Sequence, residues 1–247
     1  MPDDEPRLDE QALAQIAEVG ISSQLDTAEK LEVDIRTDLA RISQGKVDFV
    51  SIIGEGLVVR PDIRVRELEL QARNVAVDWL RAVFGNIKLE QPAPVALRIV
   101  LDEADLNRAI NSDFVRNKIP FIPLKLEGRL FKLQLKQIAL QLGPEDRLVC
   151  HGDILLQERE KLQQIRFTAA ARSRTDDYPI RIEGFSCKDG DVISLELAYA
   201  FIKTARELAN APELEFEGIK FKIEKMEIRE GSIMLHIEAR VSQIPSL

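Results

Sequence analysis

IRVRELELQARNVAV, residues 63–77, decides the fold class. Ile63 and Val65 alternate with arginines, Arg66 and Glu67 then stand together, and alternation resumes one step out of phase at Leu68 and Leu70. Successive strand side chains point to opposite faces, so the second apolar pair would land on the wrong face unless a β-bulge absorbs one residue. The same rhythm recurs at Leu133, Leu135, Lys136, Gln137, Ile138 and Leu140, and at Ile180, Ile182, Glu183, Gly184, Phe185 and Cys187. A fourth copy runs Phe221, Ile223, Glu224, Lys225, Met226 and Ile228. Bulges bend and twist a strand, so their repetition predicts a long sheet that is curved, and a curved sheet wraps something.

Working outward, the spacing predicts an amphipathic helix over residues 8–28, with Leu13, Ile16, Ala17, Gly20, Ile21 and Leu25 on one stripe. A first hairpin is expected from Leu31–Ile35 and Val47–Ile53 with a turn at Gly45, then a third strand before Arg60 and Pro61. Gly54, Glu55 and Gly56 read as a hairpin turn, because a strand follows them where a dinucleotide site needs a helix N-terminus. DWLRAVFGN (78–86) suits a short helix or turn, and Pro92 and Pro94 close that excursion before a strand at Val95–Leu101. Asp102 caps a helix to about Asn117, followed by IPFIP (119–123), whose prolines stop regular structure. Strands are expected at about 129–142, 147–157, 161–172 and 178–187, joined by short turns. A helix capped by Ser194 carries the stripe Leu197, Ala200, Phe201, Ala205 and Leu208, and a hairpin at about 218–229 and 232–241 closes the chain. Helices set apart from long antiparallel strands define an α+β fold in which a curved, bulged antiparallel sheet wraps two to three helices. Residues 1–7 are expected as a flexible acidic tail and 8–247 as a single domain.

Charge excludes one class of partner. Residues 1–32 hold nine acids and two bases, while the rest of the chain is nearly neutral within a total of −8. Without a concentrated basic patch, nucleic acid is not an expected partner. The start lacks the basic-then-apolar layout of a signal peptide, and no apolar run is long enough to span a bilayer. The expectation is therefore a soluble, cytoplasmic protein, peripheral to a membrane. Cys150 and Cys187 belong to no CxxC pair and are expected as buried reduced thiols rather than a disulfide, since no secretory signal points to an oxidising compartment.

Catalytic markers are missing from the sequence. There is no HExxH, GxSxG or GxxxxGK, and His151 and His236 have no partners at ligand spacing. Acidic pairs such as Asp102 with Asp105 are accounted for by caps and turns. No cofactor, metal or catalytic residue is expected. What remains are apolar residues at loops and helices: Trp79 with Phe84, Phe121 with Ile122, and Phe114 and Phe201 on the two internal helices. Such residues rim apolar cavities or dip into a membrane interface, or else plug the ends of the sheet as core. Basic strand positions Arg64, Arg66, Lys132, Lys136, Lys220 and Lys222 are placed to meet phosphates or to form a solvated face.

QLDTAEKLEVDI (24–35), VRPDIRVRELELQARNVAVDW (59–79), LDEADLNRAINS (101–112) and ELANAPELEFEGIKFKIEKMEIREGSIMLHIEA (207–239) together resemble the LmeA-like family of bacterial phospholipid-binding proteins. The resemblance implies an elongated fold similar to tubular lipid-binding domains, and a phospholipid ligand or membrane surface as partner. It brings no catalytic residues. The combined expectation is a non-enzymatic protein that shelters acyl chains in an apolar groove between the sheet and the 102–117 or 194–210 helix, with Trp79, Phe84, Phe114, Phe121, Ile122 and Phe201 as lipid or membrane contacts. The alternative is a scaffold whose sheet is packed solid and whose acidic N-terminal segment docks a protein partner. A lipid-acting enzyme would need a polar constellation that these residues do not assemble.

Overall fold

The structure, a computed structural model, describes residues 8–76, 88–126, 128–173, 180–187, 195–216 and 219–243. The fold is α+β, with long, curled antiparallel strands and few helices. Contacts divide the chain into two compact units, one of Met1–Val100, Pro212–Glu224 and Leu235–Leu247, the other of Leu101–Ala211 and Lys225–Met234. The division runs through the closing hairpin.

In the first unit, helix α1 (Leu8–Ser22) packs on strand β1 (Lys30–Arg36). A short helix α2 (Leu39–Ser43), capped by Asp38 accepting from the Arg41 N–H, leads to β2 (Lys46–Arg60), β3 (Ile63–Ala76) and β4 (Lys88–Asp102). With β10 (Leu214–Phe216), β11 (Ile219–Arg229) and β12 (Ser232–Gln243) they form a sheet in the order β1-β2-β3-β4-β12-β11-β10. The second unit holds α3 (Glu103–Ile110), α4 (Asp113–Lys118), α5 (Leu195–Ala209) and a meander of β5 (Ile122–Leu126), β6 (Arg129–Leu142), β7 (Arg147–Glu158), β8 (Lys161–Arg172) and β9 (Arg181–Cys187) in sequential order.

The bulges divide by case. Leu135 pairs with Ile154 and Gln137 with Asp153, so Lys136 is the extra residue and Ile138 returns to the buried face. Ala170 pairs with Gly184 and Ala171 with Ile182, which makes Glu183 the extra residue in β9. Arg172 donates to the Glu183 carboxylate at 2.7 Å, and this bond holds Glu183 below the usual carboxylate range. In β3 the expected bulge is absent, because the register continues from Glu55–Glu67 to Leu57–Val65. Gly56 opposite Arg66 changes the phase instead: its φ of +59° kinks β2, and Leu57 folds back so closely that a Cβ on Gly54 would lie 2.6 Å from Leu57 Cδ1. Gly54–Gly56 is thus a kink inside a strand, not a hairpin turn, and the expected second and third strands are one. The one-residue shift between β2 and β3 falls between Val58 and Arg60. In β11, pairing with β10 ends at Phe221, the first residue of the fourth signature.

Three helix and strand ends also differ from expectation. α1 stops at Ser22 because Asp26 and Thr27 are captured by β2: Asp26 N–H donates to Val58 O and Val58 N–H to Thr27 O, each at 2.8 Å. The 102–117 helix is two, since buried Ser112 ends the first by donating to Ala109 O and caps the second by accepting from Val115 N–H. Asp102 takes the N-cap position without a side-chain cap bond. β4 begins seven residues before Val95 and contains Pro92 and Pro94, which lie ahead of the Ala72–Val95 pair where its ladder with β3 begins, so the missing N–H groups cost that ladder nothing. The expected 78–86 element, the Ser194 cap and the turns at 175–177 and 188–191 lie outside the described residues.

Candidate functional site

Register assembles the first unit's sheet into two unlike faces. Leu31, Gly54, Leu68 and Ile99 form one row across β1–β4; Val33, Ile52, Leu70 and Leu97 form the next; Ile35, Val50, Ala72 and Val95 form the third. Eleven apolar side chains thus share one face, which measures about 14 Å along the strands and about 14 Å across at ordinary strand spacings. Only Ile35, Ala72 and Val95, all in the third row, are buried; the other eight remain half-buried. α1 packs on the edge strand β1, and those eight side chains are half-buried with it in place.

The reverse face is charged. Glu32, Ile53, Glu69 and Arg98 align in one row, and Arg98 donates to Glu69 at 2.7 Å and to Glu67 at 3.2 Å. Arg36 and Arg73, paired with Phe49 from either side in the sheet, place their guanidinium carbons 5.9 and 6.0 Å from its ring centre, two cation–π contacts across β1–β3. A groove of about 600 Å³ in this unit is lined by Arg73, Lys220, Lys222 and Arg240 together with Glu213 and Glu238. Its lysines are partly neutralised, Lys220 by Glu213 at 3.4 Å and Lys222 by Glu224 at 2.7 Å. These pairs are those of a solvated face, and each contributes little.

The second unit treats its apolar face in the opposite way. Leu124, Phe131, Leu133, Ile154, Leu156, Ile165 and Phe167 form a buried cluster with Ala200 of α5. Phe167, Phe185 and Phe201 pack as a triad with ring centres 4.9–5.5 Å apart. Gly152 lets Phe167 lie flat on β7, since a Cβ there would collide with the ring. A cleft of about 190 Å³ remains between α3, α4 and β6, lined by Ile110, Val115, Ile119, Leu135 and Ile138 with Arg116 and Lys136 beside them.

α3 and α4 do not lie over the sheet as an amphipathic stripe alone would have it; they also close an edge of β6. Asn107 donates to Leu140 O at 2.8 Å and accepts from Leu140 N–H at 2.7 Å. Asn111 does the same for Ile138 at 2.6 and 3.0 Å. Glu103 accepts from Leu142 N–H at 2.6 Å, and Arg116 donates to Lys136 O at 2.9 Å. Four helical residues rise about 6 Å and two strand residues about 6.8 Å, so side chains at i, i+4 and i+8 reach successive outward-facing backbone groups. Asn210 repeats the device on Ile180.

The residues singled out from sequence are dispersed. Trp79 and Phe84 lie outside the described residues. Phe121 is 47% exposed, with Lys132 Nζ 5.0 Å from its ring centre. Ile122 opens edge strand β5 and packs on the buried cluster, as does Phe201 from α5. Phe114 is half-buried, with Lys118 over its ring at 5.7 Å. Arg64 pairs with Glu29 at 2.8 Å and Arg66 with Glu67 at 3.4 Å. His151 is exposed and bonded to Thr168 at 3.0 Å. Cys150 and Cys187 are free thiols, half-buried rather than fully buried. Among the described residues no three His, Cys, Asp or Glu side chains group as metal ligands, and no helix is long and apolar enough to cross a membrane. The half-buried face of β1–β4 escaped the sequence reading. Its signal was present as paired apolar residues in each strand, but only register sets those pairs side by side.

Neither a curated protein nor a solved structure matches the chain. A family model described as LmeA-like phospholipid-binding matches residues 7–238, and so covers both units and every described strand except the last residues of β12. With an apolar sheet face left half-buried and a match over nearly its whole length, the chain belongs to the LmeA-like phospholipid-binding family.

Proposed function

We propose that the protein binds phospholipid by laying acyl chains along the apolar face of β1–β4, and that it does so without catalysis. The single observation that carries this reading is the contrast between two apolar sheet faces in one chain. The face in the second unit is filled by α5 and three phenylalanines, whereas Leu31, Val33, Ile52, Leu68, Leu70, Leu97 and Ile99 in the first stay half-buried. An apolar surface held open at folding costs stability unless a ligand covers it. Each methylene removed from water contributes about 0.8 kcal/mol, so about ten methylenes supply about 8 kcal/mol, the scale of micromolar binding before ordering costs.

The scaffold alternative draws support only from the second unit, whose packed interior suits a shape-holding role. Native mass spectrometry of the gently purified chain tests the lipid reading. Phospholipid is expected to co-purify, and Leu70→Asp or Ile52→Asp, with circular dichroism unchanged, is expected to reduce bound lipid at least tenfold, the order of effect for a charge set against an acyl chain. Absence of co-purifying lipid together with failure to take up a fluorescent phospholipid refutes it, as does full binding by both folded variants.

A further inference from the structure

We infer that the outer face of the β5–β6 end of the five-stranded sheet is a docking surface for an anionic phospholipid bilayer. Three large apolar side chains are exposed on or beside this face: Phe121 at 47%, just ahead of β5, Leu130 at 62% on β6, and Leu162 at 62% on β8, in the register row of Lys132. Leu130 and Leu162 stand where alternation directs side chains away from the buried cluster, so core packing does not explain them. Register places cations among them: Lys125 pairs with Leu130, and Lys132 lies in the row Pro123, Lys132, Gln157, Leu162. The Lys132 ammonium sits 5.0 Å from the centre of the Phe121 ring. Neither Lys125 nor Lys132 forms an ion pair with a described residue, unlike the lysines of the first unit's charged face.

Apolar side chains beside unneutralised ammonium groups match an interface with acyl tails beneath and phosphate above, where each lysine strengthens attraction to anionic lipid. A protein partner that adds a strand is disfavoured at this edge, because Pro123 of β5 has no N–H to donate. The partner's class rests on the phospholipid reading above, but the surface is separate from the β1–β4 face.

Flotation of the full chain with vesicles tests the surface. Binding is expected to vesicles of phosphatidylcholine mixed with phosphatidylglycerol, to weaken with added salt, and to exceed binding to phosphatidylcholine alone. Lys125→Glu with Lys132→Glu is expected to lower partitioning onto the mixed vesicles by about tenfold or more. Leu130→Ser with Leu162→Ser lowers it on both kinds. Equal binding to the two compositions, or unchanged flotation of both folded variants, overturns the inference. The two readings fail separately: a chain that carries lipid but does not float refutes only the docking surface, and one that floats but carries no lipid refutes only the β1–β4 site.

Discussion

Cys150 sits on β7 opposite Ala169, packed against the buried cluster, and burial pushes its thiol from an ordinary value of about 9 up to about 11. The thiolate is the reactive form, so a shift of this size leaves about a hundredfold less of it in the folded chain at neutral pH. In a Cys187→Ala background, alkylation of native Cys150 at pH 8 is expected to run about a hundredfold slower than in denaturant; equal rates would show the thiol to be unburied. The sign of the linked stability follows from the raised value. The unfolded thiol ionises first, so the contribution is whole below about 9 and is lost as pH climbs to about 11. That neither cysteine belongs to a CxxC motif was legible in the sequence, because motif spacing is read along the chain. Their half-burial was not, because it depends on α5 and on Phe167 and Phe185 packing over strands distant in sequence.

At the scale of elements, the meander was readable nearly to the residue. β6 and β8 begin and end where alternation and the GPED turn place them. Alternation and turn chemistry are local, so they survive without tertiary information. The asparagine ladder was not readable as such. Asn107 and Asn111 are poor helix formers at i, i+4, and their value lies in backbone groups of Leu140 and Ile138 about thirty residues onward. Asn107→Ala and Asn111→Ala each strand partly buried N–H and C=O groups and are expected to cost about 1–3 kcal/mol apiece in urea unfolding, while exposed Asn117→Ala on the next helix stays within about 0.5 kcal/mol. Equal effects at all three positions would remove the ladder from the account of how β6 is closed. The same distinction explains the bulges. Lys136 and Glu183 are one-sided insertions that a partner strand registers, whereas the β3 signature is met by Gly56 on the neighbouring strand, which no reading of β3 alone reveals.

For the whole molecule, the path of the chain matters more than the size of either unit. It crosses between units at Val100/Leu101, Ala211/Pro212, Glu224/Lys225 and Met234/Leu235, so neither unit is one continuous segment and β11 and β12 belong to both. We propose that residues 8–247 unfold as one cooperative domain, because either unit lost alone would break strands of the other. Far-ultraviolet circular dichroism and native Cys150 protection should then share one urea midpoint, and two separated transitions would refute it. The sequence by itself determined the α+β class, the meander, the closing hairpin and the phospholipid family, since periodicity, turn residues and ordered motifs are carried along the chain. Tertiary structure alone decided which apolar face is filled and which stays half-buried. Leu31, Ile52, Leu70 and Leu97 look like any core residues until register joins them, and the packing of Phe201 with Phe167 and Phe185 is not visible in the stripe of α5. Burial is a property of what lies opposite, and what lies opposite is set by pairing between residues far apart in the chain.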